Sequence, residues 1–296
     1  MNSILVSGII TTYKRSPEMV IRAAESILHQ TYENMELIVV DDSPADYDER
    51  DDVKKAIEKL DGQIQYIRHE TNQGACAARN TGLKVAKGTV VGFLDDDDEW
   101  MPDKVEKMLP LFSDPQIALV YCGSHVIESW TGRTYPLNIE FVKEKVFEKL
   151  LCRNFIGSTS FPLIRKSALV EIGGFDTQLQ ASQDHDVWIR LSEKYKVDYI
   201  QEPLVKYCLH QGDNISSNPL KKIAGYERLN SKYQDYLKSH PKIFSKRLLT
   251  LCVEYAAAGD MRKACSVWIQ AVIKNPVDFA NIIKGLRNMI RARKSR

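Results

Sequence analysis

From about residue 4 to residue 94 the chain alternates short apolar runs with helical patterns, and this constrains its fold more than any other feature. "ILVSGII" reads as a buried strand. "SPEMVIRAAESILHQ" follows, with Pro17 early and Val20, Ile21, Ala24, Ile27 and Leu28 on one helical face. Then come "ELIVV", "DERDDVKKAIEKL", "IQYI", "GACAARNTGLKVAK" and "TVVGFL". Strand and helix in this rhythm predict a Rossmann-like α/β domain, a mostly parallel central sheet with helices on both faces. Ligands of such sheets collect beyond the carboxyl ends of the strands. Polar clusters stand at three of those ends: "TTYKR" after the first run, "DDSP" after the second and "DDDDE" after the fourth.

The last cluster carries the chemistry. Asp95, Asp96, Asp97, Asp98 and Glu99 directly follow an apolar run. Two unit charges about 4 Å apart repel by roughly 4 kcal/mol at the effective dielectric of a protein surface. A helix start, with Pro102 in its first turn, accounts for one or two of these acids. It does not account for Asp95 to Asp97. Carboxylates at i and i+2 on an extended strand end can converge on one hard divalent cation, whose other ligands are phosphate oxygens.

Beyond residue 117 the pattern is mixed. "IALVYC" and "SHVIESW" read as two strands, "KEKVFEKLL" and "QDHDVWIRLSEKY" as helices, and "PLVKYCLH" as a last strand. After Pro219 it is helical: "SKRLLTLCVEYAAAGD" and "MRKACSVWIQAVIKNP" predict a hairpin, with Gly259 ending one helix and Asp260 capping the next. The expected division is a catalytic domain over 1–218 and a helical region over 219–296. A net charge of +2 gives no bulk attraction to nucleic acid, and six scattered cysteines without a CxxC pair argue against zinc. "MNSILVSGII" lacks the basic start and cleavage site of a signal peptide, so a reducing cytoplasm is the expected compartment.

Three segments, "VSGIITTYKRSPEMVIRAAESILHQTYENMELIVVDDSP", "ETNQGACAARNTGLKVAKGTVVGFLDDDDEWMP" and "LIRKSALVEIGGFD" through "SQDHDVWIRL", resemble the family 2 glycosyltransferases of GT-A fold. The resemblance spans about residues 4 to 210. It implies a hexosyl- or N-acetylhexosaminyl-transferase that uses a nucleotide-diphospho-sugar, a UDP-sugar favoured, with Mn2+ or Mg2+ held by the acid cluster. By position, Asp97 contacts the metal, and Asp95 or its neighbour Asp96 meets the ribose and completes the metal shell. Asp42, with Asp41 as the nearer alternative, accepts a hydrogen bond from the nucleotide base. Thr11 and Tyr13 edge the base pocket; the other reading of Tyr13 is core packing. Arg79 lies near the diphosphate, or else forms a structural ion pair with an acid at a strand end. Gly82, on the same helix, permits close packing.

In "SQDHDVWIRL" the resemblance makes Asp184 the general base. Relatives usually carry Glu-Asp here, and Gln183 departs from that. Loss of the like charge should slightly lower the pKa of Asp184 and weaken it as a base. Asp186 either binds the acceptor or caps, Trp188 is placed with it at the acceptor, and His185 is expected at the surface. His210 is expected to reach the metal or diphosphate, and Phe175 and Asp176 to wall the acceptor pocket. The implied reaction is a single inverting displacement onto a hydroxyl of a glycan or lipid-linked glycan, in surface polysaccharide biosynthesis.

A nucleotidyltransferase would need a Gly-rich basic loop after the first strand, where "GIITTYKR" has only Gly8. A dehydrogenase would need GxGxxG, which follows no strand. A non-catalytic nucleotide-binding protein draws slight support from Gln183 alone. In the tail, Phe279, Ile282, Ile283, Leu286, Met289 and Ile290 share one helical face, with Lys284, Arg287, Arg291, Arg293, Lys294 and Arg296 beside or beyond them. That pattern predicts either a docked helix or an amphipathic contact with the anionic inner face of the cytoplasmic membrane.

Overall fold

The structure, a computed structural model, describes residues 3–210 and 218–294, without the side chain of Lys294. The stretch 211–217 of the "HQGDNIS" run and the last two residues of the tail lie outside the described residues. Two compact units are present. The first comprises residues 1–146, 155–177 and 187–211; the second comprises 147–154, 178–186 and 212–296.

The first unit is a nine-stranded sheet with its helices. Its N-terminal elements are β1 (Val6–Thr12), α1 (Pro17–Leu28), β2 (Met35–Asp41), α2 (Arg50–Ile57), β3 (Ile64–Arg68), α3 (Ala75–Val85), β4 (Val90–Asp95), β5 (Glu99–Trp100) and α4 (Lys104–Met108). There follow β6 (Ile117–Glu128), β7 (Thr134–Pro136), β8 (Leu163–Arg165), α6 (Lys166–Glu171) and β9 (Lys196–Leu209), with α5 (Val146–Cys152) placed between β7 and β8 in the chain. The strand order is β3-β2-β1-β4-β8-β6-β9-β5, with β7 on β6. Parallel pairing runs through β3-β2-β1-β4 and recurs at β6-β9. The pairs β4-β8, β6-β8, β5-β9 and β6-β7 are antiparallel, so the sheet is mixed beyond its first four strands.

Both faces are covered. Val6 and Ile10 of β1 join Val20, Ala23, Ala24 and Ile27 of α1 and Val53 and Ile57 of α2 in one buried cluster. Each Val or Ile among them, taken fully from water, contributes about 1.5–3 kcal/mol. On the opposite face α3 lies close, because Gly82 has no Cβ: one placed there would meet Ile9 Cγ2 at 2.4 Å. The two strands expected over 117–130 are one strand, β6. The chain does not turn at Gly123 but shifts register there against β9, where a Cβ would meet Glu202 O at 2.9 Å. The absent side chain lets the strand bend and continue.

The second unit is helical: most of α5, the first turn of α7 (Gln183–Lys194), and then α8 (Pro219–Lys232), α9 (Gln234–Ser239), α10 (Pro241–Ala258), α11 (Met261–Lys274) and α12 (Phe279–Lys294). The predicted hairpin is present. Gly259 closes α10 in the left-handed region at φ 89°, and the Asp260 carboxylate accepts from Lys263 N. Helix α12 is docked within this unit. Ile282 and Met289 are buried, Leu286 packs against the cluster that holds Met289, and Trp268 Nε1 donates to Ile282 O at 3.2 Å. Part of the apolar face expected to meet a membrane is therefore spent internally, while Phe279, Ile283 and Ile290 stay exposed. No described helix is long and apolar enough to cross a membrane.

Candidate active site

The parallel register places Thr11 of β1 opposite both Val40 of β2 and Asp95 of β4, so the three polar clusters share one sheet end. Tyr13, just past β1, is 46% exposed with Lys14 Nζ 5.6 Å from its ring centroid; it is not a core residue. Thr11 is half-buried at the strand end.

The acid cluster begins on the last residue of β4 and continues into the turn that follows it. Asp95 and Asp97 keep 32% and 20% of their side chains exposed, whereas Asp96 keeps 9% and Asp98 is fully buried. Beyond Asp95 the chain turns, Asp98 N donating to Asp95 O at 3.0 Å, and the turn leaves Asp97 outward while Asp96 and Asp98 are buried.

Every acid is partnered, Asp96 and Asp97 by the same arginine. Asp95 accepts from Arg79 Nη2 at 2.9 Å, Ser158 Oγ at 3.0 Å and Thr159 Oγ1 at 3.1 Å. Arg15 donates through Nε to Asp96 at 3.0 Å and through Nη2 to Asp97 at 3.3 Å. Asp98 accepts from Ser160 Oγ at 2.5 Å and Cys208 N at 2.9 Å. Glu99 pairs with Arg22 at 3.1 Å and Lys206 at 2.8 Å.

Burial still dominates the electrostatics. It pushes Asp96 up to about 6 against the pull of Arg15. It raises Asp97, with the Asp95 charge adding, and raises Asp98 well above the usual carboxylate range, with Asp95 and Asp97 adding.

His210, after β9, places Nε2 3.9 Å from Asp97 Oδ2. That nitrogen is shut off from solvent and has no hydrogen-bond partner among the described residues. A carboxylate and an unengaged imidazole nitrogen side by side fit a divalent cation whose remaining ligands are oxygens. The described residues contain no group of three or more His, Cys, Asp or Glu able to hold a metal by themselves. The donor set is therefore one that phosphate oxygens would have to complete.

The second acid pair is differently engaged. Asp42, expected to face a base, is buried, and both its oxygens are taken. Gln73 N and Gly74 N donate to them at 2.8 Å, and His69 Nδ1 lies 2.7 Å away, its Nε2 bonded to Thr81 Oγ1 at 2.9 Å. Asp42 holds the turn that opens α3. Asp41 is equally enclosed, accepting from Ser43 N at 2.9 Å and Tyr66 OH at 2.7 Å.

Of the residues expected at the acceptor, Phe175 and Trp188 are buried in the described conformation. Phe175 is 2% exposed, edge-on to Phe93 at 5.0 Å and under the Arg79 guanidinium at 5.5 Å. Trp188 is fully buried and donates through Nε1 to Gly157 O at 3.2 Å. Asp176 is half-buried.

In the second unit Asp184 is half-buried and accepts from Asn154 Nδ2 at 2.8 Å. Asp186, expected either to bind the acceptor or to cap, is fully buried against Lys232 Nζ at 2.6 Å. Lys232→Met takes the ammonium away from that buried carboxylate. We expect a loss of about 3–5 kcal/mol, measured by denaturant unfolding. His185, expected at the surface, is buried, with Nε2 2.5 Å from Leu150 O.

Burial, with the Arg247 charge, pushes His185 down to about 4. Unfolded, it titrates near 6.5, so its contribution is complete above that pH and is lost as pH falls through 6.5 toward 4. The loss is on the order of 3 kcal/mol. His185→Gln should flatten the decline of unfolding free energy across that window; an unchanged slope would contradict the assignment.

Arg15, Arg22, His69 and Ser158–Ser160 carry no signal of their own in the sequence. Arg15 lies inside the quoted "TTYKR". The hydroxyl run "STS" stands more than sixty positions from the acids it holds, and only the fold brings it there.

The mixed α/β sheet with its C-terminal helices is the architecture expected of a GT-A glycosyltransferase, and comparison with known proteins agrees. Residues 7–173 match the family described as glycosyl transferase family 2. The putative colanic acid biosynthesis glycosyl transferase WcaA of Escherichia coli (strain K12) is 31% identical over 245 residues, 79% of this chain and 83% of that protein. The amylovoran biosynthesis glycosyltransferase AmsB of Erwinia amylovora is 30% identical over 231 residues, 73% of this chain and 75% of that one. The crystal structure of S. aureus TarS 1-349 in complex with UDP-GlcNAc superposes with a TM-score of 0.66 at 15% identity, covering 99% and 91% of the two chains. The chain belongs to glycosyl transferase family 2 and is a glycosyltransferase.

Proposed function

We propose that the chain moves a sugar, with inversion, from a UDP-sugar to a hydroxyl of a glycan or lipid-linked glycan in surface polysaccharide biosynthesis. One observation carries the reading: Asp95 and Asp97 turn outward from the end of β4, with the unengaged His210 Nε2 beside Asp97. The bound nucleotide of the TarS structure and the relatives' polysaccharide names support the substrate classes.

Asp97 and His210, with Asp95 near them, would hold Mn2+ or Mg2+. When bound, the ion would neutralise charge on the diphosphate. Thr11 and Tyr13 edge the base, and Arg79 adds a cation at Asp95 facing the leaving phosphate. Asp184 takes the proton from the acceptor hydroxyl as its oxygen bonds to the anomeric carbon and the carbon–phosphate-oxygen bond breaks. Base catalysis of this kind contributes about 10²- to 10⁴-fold. The test is UDP release from a panel of UDP-sugars with candidate acceptors, and NMR of the product's anomeric configuration. Retention of configuration, or release only from another nucleotide, contradicts the reading.

Peripheral attachment to an anionic membrane fits the exposed Phe279, Ile283 and Ile290 of α12 with Lys284, Arg287 and Arg291 on the same helix. Each basic residue near such a surface contributes about 1 kcal/mol. The full chain should sediment with anionic liposomes at low salt and release at high salt. Phe279→Ser/Ile283→Ser should stay in solution. Equal sedimentation of both proteins would leave α12 a purely structural helix.

A further inference from the structure

We propose that Arg15 is a built-in counter-ion of the acid cluster, so that a divalent cation is admitted together with a nucleoside diphosphate and poorly without one. The inference rests on the donor-site reading above.

Arg15 follows Lys14, whose backbone is held in the left-handed region at φ 52° and whose N–H donates to Ser43 Oγ at 2.8 Å. That turn delivers the guanidinium across two successive acids, Nε on Asp96 Oδ1 and Nη2 on Asp97 Oδ2. Asp97 Oδ2 is also the oxygen beside His210 Nε2. The positive charge therefore occupies the carboxylate oxygen that a metal ion would use. A cation arriving alone must displace a fixed opposite partner and meet its repulsion. A cation arriving with a diphosphate brings anionic oxygens of its own, and guanidinium geometry matches phosphate oxygens as well as carboxylates.

Arg15 is suited to make that exchange. Its side chain is 36% exposed, unlike Arg79 at 10%, so it can leave the acids without opening the core. Asp96, which keeps only 9% exposure, then serves as the anchor of Arg15 and not as a ligand. The four acids thereby divide the work: Asp96 holds the arginine, Asp97 and Asp95 face the donor, and Asp98 ties Ser160 and β9.

The experiment measures Mn2+ affinity by electron paramagnetic resonance of the free ion, in full-length wild type and Arg15→Gln, with and without UDP. In wild type, UDP should tighten Mn2+ binding strongly. In Arg15→Gln, binding without UDP should tighten at least fivefold, and the gain conferred by UDP should shrink. Arg15→Lys keeps a charge but loses the two-acid fork, and should fall between them. Unchanged or weaker donor-free binding in Arg15→Gln, with UDP-dependent Mn2+ binding intact in wild type, overturns the counter-ion role alone. Absence of Mn2+ binding in every protein, even with UDP, overturns it together with the metal reading.

Discussion

Asp97→Asn is expected to abolish Mn2+-dependent binding of the donor while the metal-free protein melts no lower than wild type. The two halves of this result have one cause. Asp97 is mostly buried, and burial plus the neighbouring Asp95 charge already raise its carboxyl above the usual range. Removing the charge relieves repulsion within Asp95–Asp98 in the free protein, and the amide can still accept from Arg15 Nη2. The same removal takes from the cation its charged oxygen ligand beside His210. Calorimetric titration of the donor with and without Mn2+, beside a thermal melt, reads both halves. Turnover that stays Mn2+-dependent at the wild-type level would sink the assignment of Asp97.

Asp184→Asn should lower kcat by about 10²- to 10⁴-fold and leave donor affinity unchanged, because the base acts on the acceptor hydroxyl. The substitution is nearly isosteric, and the oxygen that accepts from Asn154 Nδ2 is retained. Helix α7 also stays anchored by the Asp186–Lys232 pair and the His185 contact with Leu150 O, so the loss should be chemical and not structural. Steady-state kinetics with donor binding measured separately distinguish the two. Gln183→Glu should leave activity present; Gln183 Nε2 donates to Leu179 O at 3.0 Å, a local contact. Turnover of Asp184→Asn within a few-fold of wild type would place the base elsewhere.

The sheet and its site end were readable because apolar runs and the acids after them are local features. The turn after β4 then separated Asp95 and Asp97 from the buried Asp96 and Asp98, a sorting the run of four acids left ambiguous. What local pattern could not show was how far polar groups are already satisfied from a distance. Asp42 looks open in "VVDDSP", but its partners are the amides of Gln73 and Gly74, about thirty positions on. His185, Asp186 and Trp188 have the composition of an exposed acidic helix start, yet helix and carbonyl neighbours elsewhere in the chain bury them. The tail shows the same limit. Its apolar face is real, but Leu286 and Met289 pack in one cluster with residues of α10 and α11, which periodicity alone cannot reveal. The length of β6 was hidden at Gly123 because a glycine in an apolar run reads as a break, whereas here it permits a bend past β9.

The central claim is that the end of β4 binds a nucleotide-sugar through a divalent cation. Thermal unfolding of the full chain with a panel of UDP-sugars, in Mn2+ and in EDTA, tests it most directly. A donor at 100 times its Kd should stabilise the fold by about 2.7 kcal/mol. That stabilisation should appear in Mn2+, vanish in EDTA and be missing from Asp97→Asn. A shift of equal size in EDTA, or in Asp97→Asn, would contradict the account.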